Sequence, residues 1–151
     1  MLSIKNQKYI FERLLKGNTV SYEKLDDKRF VFTDGVRLFI FSEEQIKFDI
    51  TKCAPSDKLK NVLRDALNGR ELRPTEEIRA DERKSKSYRR LLSPDGVCSI
   101  WIEDKFVKDY KTCLFIGEGR KKPVCVLDDY GDLLAAIMPR DIDREDGDEQ
   151  C

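Results

Sequence analysis

The sequence predicts an α+β fold, with antiparallel sheets and two or three helices. Three observations predict it. Apolar residues recur at helical spacing in two separate stretches, near residues 4–16 and 56–67. Around them stand short β-rich runs, among them RFVFT, VRLFIF, VCSIWI, CLFIG, PVCVL and LLAAIM. Turn signals built on Asp and Gly join these runs, as hairpins require. The resulting order is helix, strands, helix, strands, short helix, strands, and the helices are expected on one side of the sheets.

The elements follow in chain order. In residues 4–16, Ile10, Phe11, Leu14 and Leu15 make the apolar stripe, and Gly17 can close the helix. Strands are expected near 18–24, 28–33, 36–41 and 46–51, with Asp34-Gly35 as the turn between the second and third. The second helix is capped by Ser56, carries Leu59, Val62, Leu63, Ala66 and Leu67 on one face, and stops at Gly69. Residues from about 70 to 92 are charged, contain Pro74 and read as an insertion, either a solvated hairpin or a partly mobile segment. Ser93-Pro94-Asp95-Gly96 is a turn, 97–102 a strand and 103–110 a short helix. Three strands end the domain, the last two joined by DDYGD. Residues 1–140 are read as one domain and 141–151 as an acidic tail, expected to be disordered.

Composition narrows the chemistry. Charged residues reach 38%, well above the quarter or so of an ordinary domain, but 40% are hydrophobic and patterned, enough for a core. Lys plus Arg equals Asp plus Glu at 29 each, so net charge exerts no general pull on nucleic acid. The balance is uneven locally: RADERKSKSYRR (79–90) is mostly basic and DIDREDGDE (141–149) mostly acidic.

The chain has no histidine, which removes Ser-His and Cys-His nucleophiles and histidine metal sites. Its five cysteines form no CxxC pair, and Cys98, Cys113 and Cys125 read as reduced core hydrophobes. An odd count without a signal peptide suggests a reducing cytoplasm. No apolar run approaches the roughly 18 residues of a membrane span. The tail lacks the spacing of a calcium loop, and Asp128-Asp129 falls in a turn, where carboxylates bond locally. Neither a phosphate-cradling loop nor a nucleophile elbow is present. The expectation is a protein without catalysis, cofactor, metal or membrane partner.

Two segments carry a resemblance. Val31 to Leu38, containing Thr-Asp-Gly-Val-Arg-Leu, and residues 97–142, ending in PVCVLDDYGDLLAAIMPRDI, resemble the bacterial DNA polymerase III sliding clamp (beta subunit) family. The stretch WIEDKFVKDYKTCLFIGEG resembles the helix and strand that lead into that family's ending, whereas residues from about 52 to 96 match nothing in it.

The resemblance implies a clamp-like domain and a pocket for a short linear peptide of a replication or repair protein. Carried over residue by residue, the pocket comprises Thr33, Gly35, Arg37, Leu38, Ala136, Ile137, Met138 and Pro139. Val36 stands where the family motif usually has histidine, Arg140-Asp141 replaces a more apolar and basic ending, and the acidic tail beyond it could cover the pocket. A full clamp protomer is far longer, so encircling DNA would take several copies. A homo-oligomer stays open, and a pocket-bearing relative without the ring is the simpler reading. Residue chemistry agrees with a pocket: Met adapts to partner side chains, Gly admits a close backbone, and Pro ends a strand.

A second reading is nucleic-acid binding through Arg83, Lys84, Lys86, Tyr88, Arg89 and Arg90, by phosphate contact and base stacking. Glu71, Glu76, Glu77, Asp81 and Glu82 lie near enough to make the same stretch an ordinary salt-laced hairpin. A third is a small regulatory interaction protein of unrelated function.

Overall fold

The structure, a computed structural model, describes residues 2–81 and 83–140. Helix α1 runs Leu2–Leu15 and ends as its sequence requires. Gly17 adopts φ 79°, and the Asn18 and Gly17 amides donate to the Arg13 and Leu14 carbonyls. This paired closure needs a left-handed residue, which glycine supplies at no steric cost. Only part of the expected stripe is buried: Ile10 is enclosed, whereas Phe11 and Leu15 face outward.

After α1 come β1 (Ser21–Lys24), β2 (Arg29–Thr33) and β3 (Arg37–Ser42), an antiparallel meander. Its aromatic side chains pack with Ile10 and Val20, and Phe48 sits edge-on to Phe32 at 4.9 Å. The strand expected over 46–51 does not form. Ile46, Phe48 and Ile50 alternate like a strand but plug the side of the aromatic cluster, and Asp49 starts a short 3-10 helix, Ile50–Lys52, by accepting from the Thr51 amide. The two-residue β4 (Ala54–Pro55) then pairs in parallel with β1.

Helix α2, Leu59–Leu67, buries Leu63 and Ala66. Ser56 lies outside it, where its hydroxyl accepts from the Lys58 amide. Gly69 differs from its expected role. It has no left-handed φ, and a Cβ there would stand 2.3 Å from the Gly117 carbonyl oxygen. It is glycine because two backbones meet, not because a helix stops.

Two strands of the sheet take up most of residues 70–92. They are β5 (Arg70–Asp81) and β6 (Lys86–Leu92), followed by β7 (Ser99–Glu103), α3 (Asp104–Asp109), β8 (Leu114–Gly117), β9 (Val124–Leu127) and β10 (Leu133–Ile137). The start of β5 pairs with β8 and its later part with β6, so one long strand joins two regions. Charge along β5 suggested a solvated hairpin, and most of it is exposed, but Leu72, Tyr88 and Leu91 are buried anchors.

The described strands form a single ten-stranded sheet in the order β4-β1-β2-β3-β10-β9-β8-β5-β6-β7, antiparallel except at β1–β4. The α+β class follows directly. Past β10 the Arg140 amide donates to the Trp101 carbonyl of β7, so the strands from β10 to β7 curl until their ends meet. Inside the curl lies the largest apolar cluster, with Ile100, Ile102, Phe106, Tyr110, Phe115 and Ile137 among its members.

The helices divide between two faces, unlike the one-sided packing expected. Leu38 and Ala136 share a cluster with Leu63 and Ala66 of α2. Arg37 and Phe39, which alternate with Leu38, meet Tyr9 of α1, and Arg37 also meets Phe106 of α3. Asn6 of α1 donates to the Tyr110 hydroxyl beyond α3, and Lys5 pairs with Asp109.

Candidate peptide-binding site

The turn between β2 and β3 organises itself. The Thr33 hydroxyl donates to the Arg37 carbonyl at 2.7 Å and accepts from the Gly35 amide at 3.0 Å. Asp34 Oδ1 accepts from the Val36 and Arg37 amides at 2.9 and 3.0 Å. Gly35 has φ 96°, a conformation other residues adopt only with strain. Short polar side chains bonding their own backbone make such turns, so this much follows from the residue types.

What the turn attaches to does not. The Asp34 side chain is only 1% exposed, its Oδ2 accepts the Tyr9 hydroxyl proton of α1, and Arg13 Nε stands 3.9 Å away. Burial pushes the Asp34 carboxyl up, but the Tyr9 hydroxyl, the Arg37 and Val36 amides and the Arg37 charge together hold it below the usual carboxylate range. Burial and the same carboxylate push Tyr9 upward.

Arg37 is 7% exposed. Its guanidinium carbon lies 4.4, 4.7 and 4.1 Å from the ring centroids of Tyr9, Phe39 and Phe106. A desolvated guanidinium among aromatic faces gains cation–π energy. Its Nε has no hydrogen-bond partner among the described residues, so stacking rather than bonding holds that edge. Arg37 therefore ties β3 to α1 and α3.

The second motif arrives beside the first. Ala135, Ala136 and Ile137 of β10 pair with Phe39, Leu38 and Arg37, and the Met138 amide donates to the Val36 carbonyl at 3.0 Å. Pro139, lacking an amide, follows where the chain leaves β3 and turns to β7 through Arg140. Gly35 and Pro139 thus lie at one end of one ladder.

No family model matches this chain, and no match was found to a curated protein or to a solved structure. The site is therefore judged by its own geometry.

The eight residues of the expected pocket meet, but not as one open surface. Leu38 and Ala136, at 4% and 0% exposure, lie beneath α2. Arg37 and Ile137 are buried on the opposite face. Thr33, Met138 and Pro139 are half-buried and Gly35 is exposed. Val36, opposite Met138 and absent from the expected set, is 49% exposed and apolar. The accessible patch is thus the ladder's end, and its register adds Val36. A cleft of about 660 Å³ opens at the other end of the same region, lined by Asp26, Arg29, Ile40, Ser42, Asp132 and Leu133, none of them expected site residues.

The basic set is also divided. Tyr88 is 1% exposed, so its ring offers no face to a base. Arg89 Nε donates to Asp104 at 2.6 Å and Arg89 Nη1 to the Thr75 carbonyl. Arg90 Nε donates to Ser99 and its Nη1 to Glu77 at 3.0 Å. Arg83, Lys84 and Lys86 are exposed. Sequence reasoning missed the reason: alternate residues of β6 point to opposite faces, and each arginine finds a carboxylate from a different element.

Cys53, Cys113 and Cys125 carry free thiols, and burial pushes Cys125 up to about 12, far from any reactive thiolate. Cys98 is disulfide-bonded, which corrects its reading as a reduced core thiol. Among the described residues no group of three or more His, Cys, Asp or Glu could hold a metal ion, and no helix is long and apolar enough to cross a membrane. The acidic segment 141–151 lies outside the described residues.

Proposed function

We propose that this protein is a non-enzymatic, clamp-like protein that binds a short linear peptide of a replication or repair protein at the end of the β3–β10 ladder. The observation that carries the reading is the Met138 amide bonded to the Val36 carbonyl, which brings the two resembling motifs together. The peptide's apolar side chains lie on Val36, Met138 and Pro139, and Gly35 admits its backbone. Arg37 and Asp34 hold the turn from beneath rather than touching the peptide. Burying two large apolar side chains is worth roughly 3–6 kcal/mol gross. Ordering the peptide removes part of that, so binding is weak, about micromolar at best.

The test is a titration of ¹⁵N-labelled protein with a clamp-binding peptide. Amide shifts should centre on Gly35, Val36 and Met138, and Met138→Glu should abolish them while the rest of the spectrum stays native. Unchanged amides at millimolar peptide would overturn the reading.

A further inference from the structure

A second surface takes two lysines from the basic stretch, Lys84 and Lys86, and two from α3, which the sequence reading did not connect with it. The β5–β6 turn and α3, well separated in sequence, together line a cleft of about 380 Å³. Lys84 and Lys86 come from the turn and the start of β6, Lys105 and Lys108 from α3, with Ser85 and Ser87 between them. The turn is held: the Arg83 amide donates to Asp81 Oδ1 at 3.1 Å, the Lys84 amide donates to the Asp81 carbonyl at 3.2 Å, and Ser85 adopts φ 53°.

Two carboxylates, Glu103 and Asp104, also line the cleft, and both are buried. They are already compensated. Glu103 faces Lys86 at 3.3 Å and Lys105 at 3.1 Å, and Asp104 faces Arg89 at 2.6 Å and Lys108 at 3.4 Å. Burial pushes Asp104 up, but Arg89 and Lys108 more than offset it, so it stays ionised near neutral pH. The cleft lining therefore holds four lysines, Lys84, Lys86, Lys105 and Lys108, against two carboxylates, an excess of positive charge to which Arg89 adds from behind Asp104. The carboxylates hold three lysine ammonium groups in place, and the ammonium groups keep donors free, because each carries three.

The geometry points to this lysine cleft as a binding site for the phosphate backbone of nucleic acid. Lysines held at several points around a cleft suit a chain of phosphates, whose capture releases counterions and depends steeply on salt. Hydroxyls of Ser85 and Ser87 supply neutral donors to the same oxygens. Among the described residues no aromatic lines the cleft, so the site reads phosphate rather than base and should tolerate any sequence. This site does not depend on the peptide reading.

The experiment is fluorescence anisotropy with labelled oligothymidylate and the full chain across a salt series. The double variant K84Q/K105Q removes two exposed charges, and its thermal melt verifies folding. The slope of log affinity against log salt should become shallower by about 1.4, so between about 50 and about 200 mM salt the unmodified protein should lose about sevenfold more affinity than the variant. K24Q/K28Q, near the β1–β2 turn at the other end of the strand order, should keep the original slope. Absent binding at low salt would overturn the proposal, as would a slope that the cleft variant leaves unchanged. A parallel titration with tripolyphosphate separates the sources of phosphate: binding of tripolyphosphate without oligothymidylate overturns the assignment to nucleic acid.

Discussion

Asp34 shows how one residue serves two levels of structure. Its Oδ1 caps the turn that its own sequence predicts, while its Oδ2 takes the hydroxyl of Tyr9 from α1. The first role is readable from Thr-Asp-Gly, because the partners are two and three residues away. The second is not, because nothing in the turn names Tyr9. The depressed Asp34 pKa has a stability consequence whose sign is definite. A carboxyl lowered on folding stabilises fully above its unfolded pKa of about 3.9, and that contribution is lost as pH falls through the folded value. Asp34→Asn should cost about 1–2 kcal/mol at neutral pH. It should also flatten the fall in stability below about pH 4, measured by urea unfolding between about pH 2 and 6. Arg37 makes the same point in reverse. A charged residue in a hairpin reads as a surface contact, yet its guanidinium lies among Tyr9, Phe39 and Phe106.

Elements were legible where the signal is local. Helix α1, the meander, α2, α3 and the final three strands fall close to their expected places, because periodicity and turn residues act within a few positions. The segment 46–51 was misread because alternation alone does not tell a paired strand from an apolar plug beside an aromatic cluster. Gly69 was misread because a glycine after a helix has two causes, and only the path of β8 decides between them. Gly69→Ala should therefore destabilise by about 2–4 kcal/mol, since backbone cannot move aside as a side chain can. Gly119→Ala, with nothing within 4 Å and no left-handed φ, should be near neutral. Thermal melts of the two variants check the contrast, at about 2–4 °C per kcal/mol.

At the scale of the molecule, β10 is the seam. It pairs with β3 on one side and β9 on the other, and the residues after it reach β7. Ala135 and Ile137 fill the cluster around α3, and Ala136 the one beneath α2. A chain ending before Leu133 should lose native structure throughout, seen as collapsed amide dispersion and lost near-ultraviolet circular dichroism. Retained structure in β1–β3 would show that the meander folds alone. The same seam brings Val36 to Met138, so the proposed peptide site and the fold depend on one strand pairing.

The α+β class, most of the elements and the turn that Thr33, Asp34 and Gly35 build can be read from the residues in order, because each rests on interactions spanning a few positions. The sequence also marked both motifs that the β3–β10 ladder joins. Which of their side chains are reachable depends on packing between distant elements. Strand alternation sends Leu38 and Ala136 to one face and Arg37 and Ile137 to the other, and α1, α2 and α3 cover both. The lysine cleft has the same origin: its charges stand on two elements that the pairing of β6 with β7 brings together, and no spacing along the chain records that meeting.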